Sequence, residues 1–249
     1  MFTHYRSKGI ILKEQERGEA DRLLTIYTEE FGKIDVSARA IRKINSKLRS
    51  GTGTLCHSEI EFIEGKSYKT LTDAILIDDF SAIKGDLRKL KIAYRIAEIS
   101  DSLLKKQEKE EKVWELLTES FQRLAQGSFV VSYLPVLYYY YFWNFVSLLG
   151  YQPELYSCAS CRKALAPSRL YFSFFYGGTV CPNCFKKEGV IATHSSTIKI
   201  LRIILKKDWE MLLRLKIGLA HKQELQKISE NFLSVVLFTK ERKKVKLKI

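Results

Sequence analysis

The residues most able to do chemistry are four cysteines in the second half of the chain. They stand as Cys158-Ala-Ser-Cys161, then nineteen residues, then Cys181-Pro-Asn-Cys184. Each C-x-x-C pair can form a knuckle whose backbone amides point at the sulfurs, and two knuckles complete a tetrahedral S4 site. The spacing falls in the range of structural zinc modules. Two disulfides or a redox dithiol are the competing chemistries. A redox motif needs a single C-x-x-C, and an oxidising compartment would call for a secretory signal. Met1-Phe-Thr-His-Tyr-Arg6 has no basic region followed by an apolar run of that kind. One structural Zn2+ on Cys158, Cys161, Cys181 and Cys184 is therefore the expectation. Four thiolates fill the coordination shell and leave no position for a catalytic water.

Such a site needs a scaffold that brings the two knuckles together. Leu170–Thr179 (LYFSFFYGGT) reads as an aromatic strand, a Gly177-Gly178 turn and a return to the second knuckle. That places a zinc ribbon over residues 156–190. The fifth cysteine, Cys56, reads as a small buried strand residue.

Ahead of the ribbon the hydrophobic pattern has two periods. Residues 5–77 give five strands: Tyr5–Lys13, Arg22–Thr28, Lys33–Ala38, Thr54–Ile63 and Tyr68–Ile77. Gly32 supplies the left-handed position of a short hairpin between the second and third. In the fourth, Leu55, His57, Glu59 and Glu61 alternate with Cys56, Ile60 and Phe62, and Ser58 breaks the pattern. Five short strands with glycine turns and no long helix predict a small barrel of the OB type over residues 1–80. Between strands three and four, Arg39, Arg42, Lys43, Lys47 and Arg49 fall within eleven positions that hold no acid. Loops of an OB barrel flank its nucleic-acid groove, so these five are the candidate phosphate contacts, with a merely solvated basic loop as the alternative.

From Asp78-Asp79 onward the period is helical, giving a second domain over 81–249. Leu87, Leu90, Tyr94, Ala97 and Leu104 share one helix face, and Gln107–Lys112 is a charged break. Val113–Ala125 forms the next helix, ended by Gly127. Phe129–Leu149 is apolar on nearly every side. Its four tyrosines, Asn144 and Pro135 make it the centre of a helical domain and not a membrane span. Beyond the ribbon, Ser195 or Ser196 caps a helix, Trp209–Ile217 is apolar, and Glu224–Phe238 is a last helix with Leu225, Ile228, Phe232, Val235 and Val236 inward. The run Lys240–Ile249 carries six basic residues against one Glu, a tail that either touches phosphate or only solvates the end.

The formal charge is +14, and its location is informative. Residues 1–80 are neutral, with 13 basic and 13 acidic residues, and residues 158–249 carry 19 against 6. A polyanion is the expected partner of that cationic end. The chain has no G-x-x-x-x-G-K-[ST] loop and no H-E-x-x-H, and His4, His57, His194 and His221 are scattered. An enzyme is the poorest fit.

Several of these stretches together resemble one family. They are Gly18-Glu-Ala-Asp-Arg-Leu-Leu-Thr25, Phe31-Gly32-Lys33, the basic Ala38–Arg49 run, Gly150-Tyr-Gln-Pro153 before the first knuckle, and Phe172-Ser173 with Gly177-Gly178 before the second. The pattern is similar to the bacterial recombination-repair family RecO over essentially the whole chain. It departs at Ala38-Arg39-Ala40-Ile41, where that family usually has a glycine. The resemblance implies an α+β chain: an N-terminal five-stranded OB barrel, then a mostly helical domain with an inserted four-cysteine zinc ribbon. It implies a cytoplasmic, nucleoid-associated mediator that binds single- and double-stranded DNA and anneals complementary strands. With RecR it would help load RecA onto DNA coated by single-strand-binding protein (SSB), whose acidic tail it binds. Some members lack the cysteines, which implies that the metal stabilises the fold and is not the activity itself. An RNA-binding or protein-binding adaptor without annealing activity is the alternative.

Overall fold

The computed structural model describes residues 3–65, 68–126, 133–166, 169–185 and 189–246, with backbone alone for 241–246. The chain divides into two compact units, Met1–Tyr138 and Tyr139–Ile249.

The first unit begins with five strands, β1 (His4–Arg17), β2 (Asp21–Thr28), β3 (Gly32–Ala38), β4 (His57–Ile63) and β5 (Lys69–Asp78). They close a barrel in the order β1-β2-β3-β5-β4, with β4 returning to β1. β3 and β5 pair in parallel at Val36–Lys69 and Ser37–Thr70, and the other described ladders are antiparallel. This strand order is that of an OB barrel. Its interior holds Ile11, Leu24, Ile26, Ile34, Val36, Ile60, Phe62 and Leu71.

β1 is longer than its apolar run predicts because it serves two neighbours. His4–Ile10 pairs with β4 and Gly9–Arg17 with β2, with a register shift between Ile11 and Lys13. A bulge of this kind bends and twists a strand so that a small barrel can close. β4 is shorter than predicted because Leu55 has a φ of 69° and ends the extended run. Leu55 and Cys56 are both buried as a result, and Ile11 exchanges backbone hydrogen bonds with them. Ser58, the apparent break in alternation, points inward and donates to the Gly51 carbonyl at 2.7 Å.

Helices α1 (Ser81–Lys84), α2 (Leu87–Leu103) and α3 (Glu111–Ala125) come next. Asp78 and Asp79 accept from the amides of Phe80 and Ser81, but the long helix α2 is capped by Asp86, which accepts from Arg88. Its inward face matches the predicted one only in part: Ala97 and Leu104 are buried and Leu90 is half-buried. Leu87 is 82% exposed and Tyr94 48%, while Lys89, Ile92, Ala93, Ile96, Ile99 and Leu103 are buried. The Lys89 ammonium resolves its burial by donating to the Ala125 carbonyl at 3.4 Å.

The barrel rests on the α2–α3 connection. Gln107 N–H donates to Lys33 O, and Tyr27 Oη donates to Glu110 O at 3.2 Å. Gly32, at φ +62°, lies so close to this connection that a Cβ would stand 2.1 Å from the Glu108 carbonyl oxygen. The position thus requires glycine both for its conformation and for its contact.

In the second unit, α4 (Leu134–Leu148, beginning before the division) contributes Tyr139 to Val146, all buried. Asn144, a polar residue in this apolar run, donates from Nδ2 to the carbonyls of Tyr140 and Ile204, each at 2.9 Å. No described helix is long and apolar enough to cross a membrane. Gly127 and residues 129–132, predicted as a cap and as the helix start, lie outside the described residues.

After α4 comes a three-stranded sheet, β6 (Leu170–Ser173), β7 (Gly178–Val180) and β8 (Val190–Thr193), in the order β7-β6-β8. Helices α5 (Ser195–Leu205), α6 (Trp209–Arg214) and α7 (Leu219–Lys246) complete the chain. Leu225, Ile228, Phe232 and Val236 of α7 are buried as predicted, whereas Val235 is 39% exposed. α5 is not capped by Ser195 or Ser196. His194 stands at the cap position, and its N–H donates to Glu224 on α7.

Candidate metal centre and nucleic-acid surface

The two knuckles meet because short backbone bonds tie the entry segment to the sheet. Glu154 N–H donates to Gly177 O, Thr179 N–H to Glu154 O, and Ala159 N–H to Thr179 O. A Cβ on Gly178 would lie 2.3 Å from the Glu154 carbonyl oxygen, so glycine permits this approach. The first knuckle closes by Cys158 N–H to Lys163 O and Arg162 N–H to Cys158 O, each 2.8 Å. The second is a 3-10 turn over Pro182–Cys184, with Cys184 N–H donating to Cys181 O.

The four sulfurs lie within 4.8 Å of one another, and none is in a disulfide. Cys161 Sγ and Cys181 Sγ are 3.9 Å apart. Zn–S bonds of about 2.3 Å put tetrahedral sulfurs about 3.8 Å apart, so the cluster has the dimensions of a single-ion S4 site. Burial pushes the Cys158 thiol up, but the amides of Cys161, Cys181 and Ser160 outweigh it and bring the group to about 6. The Cys184 thiol is pushed up to about 12, chiefly by its contact with Cys161. Sulfurs this close resist joint deprotonation, and a divalent cation neutralises the charge that results. Cys158 is fully buried against Tyr171 and Val180, and Cys161 is exposed, so the site is anchored on one side and open on the other.

Beside the first knuckle is a cleft of about 390 Å³ lined by Gln152, Glu154, Tyr156, Arg162 and Tyr176 among others. The Arg202 guanidinium lies 4.9 Å from the centre of the Tyr156 ring. Tyr156 is 56% exposed, and Phe175, which packs edge to face on the cleft residue Tyr176, is 85% exposed. Exposed rings with arginines are the materials of a base-stacking surface. The run Leu170–Thr179, expected as a strand and a Gly177-Gly178 turn, already leaves the strand after Ser173, and Phe175 is exposed because it lies in the β6–β7 turn.

In the first unit, the segment between β3 and β4 is a chain of tight turns. Lys43 N–H donates to Ala40 O, Ser46 N–H to Lys43 O, and Arg49 N–H to Ser46 O. Asp21 accepts from the Ala40 amide at 2.8 Å, and Ile41 is buried in the barrel with Leu48 packed against it. The loop is thereby anchored from inside. Arg39, Arg42, Lys43, Lys47 and Arg49 are all exposed, and Ile44 among them is 86% exposed. Arg42 lies 3.6 Å from Glu16, an exposed pair of little strength. The five predicted cations are therefore gathered on one anchored loop. The predicted basic tail begins inside α7, and its residues 247–249 lie outside the described residues.

Comparison with known families sets these sites in context. Residues 1–80 match the description "Recombination protein O N terminal", and residues 84–245 match "Recombination protein O C terminal". The chain belongs to the RecO family. It is 32% identical over 223 residues to the DNA repair protein RecO of Dehalococcoides mccartyi, covering 89% of this chain and 86% of that one. It is 30% identical over 236 residues to that of Moorella thermoacetica, covering 94% and 86%. To that of a Roseiflexus species it is 29% identical, covering 94% and 81%. The RecO resemblance read from the motifs is thus correct, and both the barrel and the four-cysteine half fall within the matched residues.

Proposed function

We propose that this chain is a non-catalytic recombination mediator in DNA repair. It binds single- and double-stranded DNA, anneals complementary strands and, with RecR, helps load RecA onto SSB-coated single strands in the cytoplasm, at the nucleoid. The observation that carries the reading is the anchored loop of five exposed cations on an OB barrel, in a chain of the RecO family. Arg39, Arg42, Lys43, Lys47 and Arg49 contact backbone phosphate, which positions a strand without reading its sequence. The cationic half from residue 158 adds most of the counterion release. It also takes the acidic tail of SSB, so strand and tail compete for shared charge.

The four-cysteine cluster holds one structural Zn2+, which fixes the ribbon against the sheet and leaves the chemistry of recombination to other proteins. The domains of this reading are the barrel, 1–80, and a helical part, 81–249, that contains the ribbon, 156–190.

The test is annealing of SSB-coated complementary strands, with and without RecR. Faster annealing by the protein, dependent on the SSB tail, supports the mediator. Equal binding of matched DNA and RNA with no annealing would favour the adaptor reading instead.

A further inference from the structure

A second group of metal-ligating side chains gathers just past β8, where α5 begins beside the first turns of α7. His221 and Glu224 are one turn apart on α7, and His194 stands at the cap position of α5. One donor atom from each of the three lies within 4.8 Å of the others. The imidazoles of His194 and His221 are edge to face, with centroids 5.6 Å apart.

The carboxylate between them is already oriented. Glu224 Oε2 accepts from the His194 backbone N–H at 3.1 Å and from the Thr197 hydroxyl at 2.5 Å, and Oε1 contacts His194 Nδ1. Thr197 Oγ1 also lies 3.1 Å from His221 Nδ1. With the hydroxyl proton given to Glu224, Thr197 accepts from Nδ1–H of His221, which leaves Nε2 of that ring as the basic nitrogen. Outer partners that fix a tautomer and aim a carboxylate are the usual support of metal ligands. The Glu224 side chain is 17% exposed and that of His194 67%, so the cluster opens to solvent on the His194 side.

We propose that His194, His221 and Glu224 form a second metal site, for a divalent cation of the zinc class. Two imidazoles and one carboxylate suit zinc, cobalt or nickel better than magnesium or calcium. Ligand atoms at about 2.0–2.1 Å from a tetrahedral ion stand about 3.4 Å apart, so side-chain rotation suffices to close this cluster on one. The cation takes the place of the His194–Glu224 hydrogen bond, and an imidazole proton that it displaces goes to solvent. Water fills the remaining position. Thr197 serves as the positioning residue. Bound metal ties the start of α5 to α7, and, being open to water, this ion exchanges more readily than the one enclosed by four sulfurs.

The test counts metal on the full-length protein, dialysed against excess zinc and then against metal-free buffer with no chelator. Wild type should retain one equivalent more than His221→Ala and one more than Glu224→Gln, while His4→Ala should match wild type. Cobalt substitution reports the two sites separately: the ribbon gives a sulfur-to-cobalt charge-transfer band, and the second equivalent should add ligand-field bands without it. Both variants should keep the sulfur band, which shows that they remain folded at the ribbon. Equal metal content in wild type, His221→Ala and Glu224→Gln would overturn the site whatever the ribbon holds. Loss of the extra equivalent in His4→Ala would place it elsewhere and overturn it equally.

Discussion

The indole Nε1–H of Trp143 donates a 3.0 Å hydrogen bond to Ser229 Oγ, joining α4 to α7 across a fully buried contact. Trp143 also packs on Phe232, with ring centroids 4.9 Å apart. Ser229→Ala leaves a buried donor without a partner, which costs about 1–3 kcal/mol. Urea denaturation should show that loss, and an unchanged midpoint would mean that the indole finds another acceptor.

Metal removal is expected to act locally first. Cys158→Ser deletes the buried sulfur that also accepts from the Cys181 amide at 3.4 Å. The zinc equivalent held by the four sulfurs should be lost, and the melting temperature should fall. Structural zinc in small modules contributes roughly 10–16 kcal/mol of apparent binding free energy, but here the surrounding helices share the stabilisation. Hydrogen exchange should therefore rise at β6 and β7 before it rises in the barrel. Wild-type protein prepared without chelator and found free of zinc would defeat this account.

The basic loop should contribute charge and not sequence preference. Replacing Arg42, Lys43 and Lys47 by Ala should weaken every single-stranded sequence alike. The salt slope for single strands should fall by roughly 0.7 for each phosphate deprived of its cation. Because Ile41 and Leu48 hold the loop, the triple variant should melt like wild type. Unchanged affinity and slope would show the loop to be merely solvated.

A pH effect on stability is expected from His57, which packs edge to face on Trp114 at 5.7 Å and whose Nε2 is buried without a partner. Burial, and secondarily the charge of Lys8, holds its pKa below the ordinary 6.5. The unfolded chain therefore binds this proton more readily than the folded one. Stability is fully present above about 6.5 and falls as pH drops through that value. His57→Phe should flatten this part of the profile in urea titrations across about pH 5–8. Parallel profiles for the two proteins would assign the dependence to other groups.

Legibility in the sequence tracked the range of the interactions. The four cysteines were readable because ligand identity and spacing are local, and the barrel because its short apolar runs are set off by turns, with clean alternation in β4. The inward face of α2 was legible only in part, at Ala97 and Leu104. Leu87 and Tyr94 fit a helical stripe, yet the buried side includes Lys89 and Ser100, whose polar groups are satisfied by carbonyls at Ala125 and Ile96. Spacing fixes which residues share a face; it does not say which face meets the neighbours. β8 was missed because four residues, Val190–Thr193, carry too little pattern to mark a strand that β6 recruits. The second histidine cluster joins residues thirty positions apart, His194 and Glu224, and only the packing of α5 on α7 brings them together.

The ribbon leaves the chain after α4 and returns at the start of α5, while α4 is held to the later helices by contacts outside the ribbon. Tyr140 meets Trp209, Asn144 reaches the Ile204 carbonyl, and Trp143 reaches Ser229 and Phe232. Covalent continuity through the knuckles is thus not what joins the helices on either side. The ribbon adds one ring to this centre, Phe172 of β6, which packs on Trp143 and Phe232. A polypeptide severed within it would still have the means to reassemble from two pieces around the same aromatic centre.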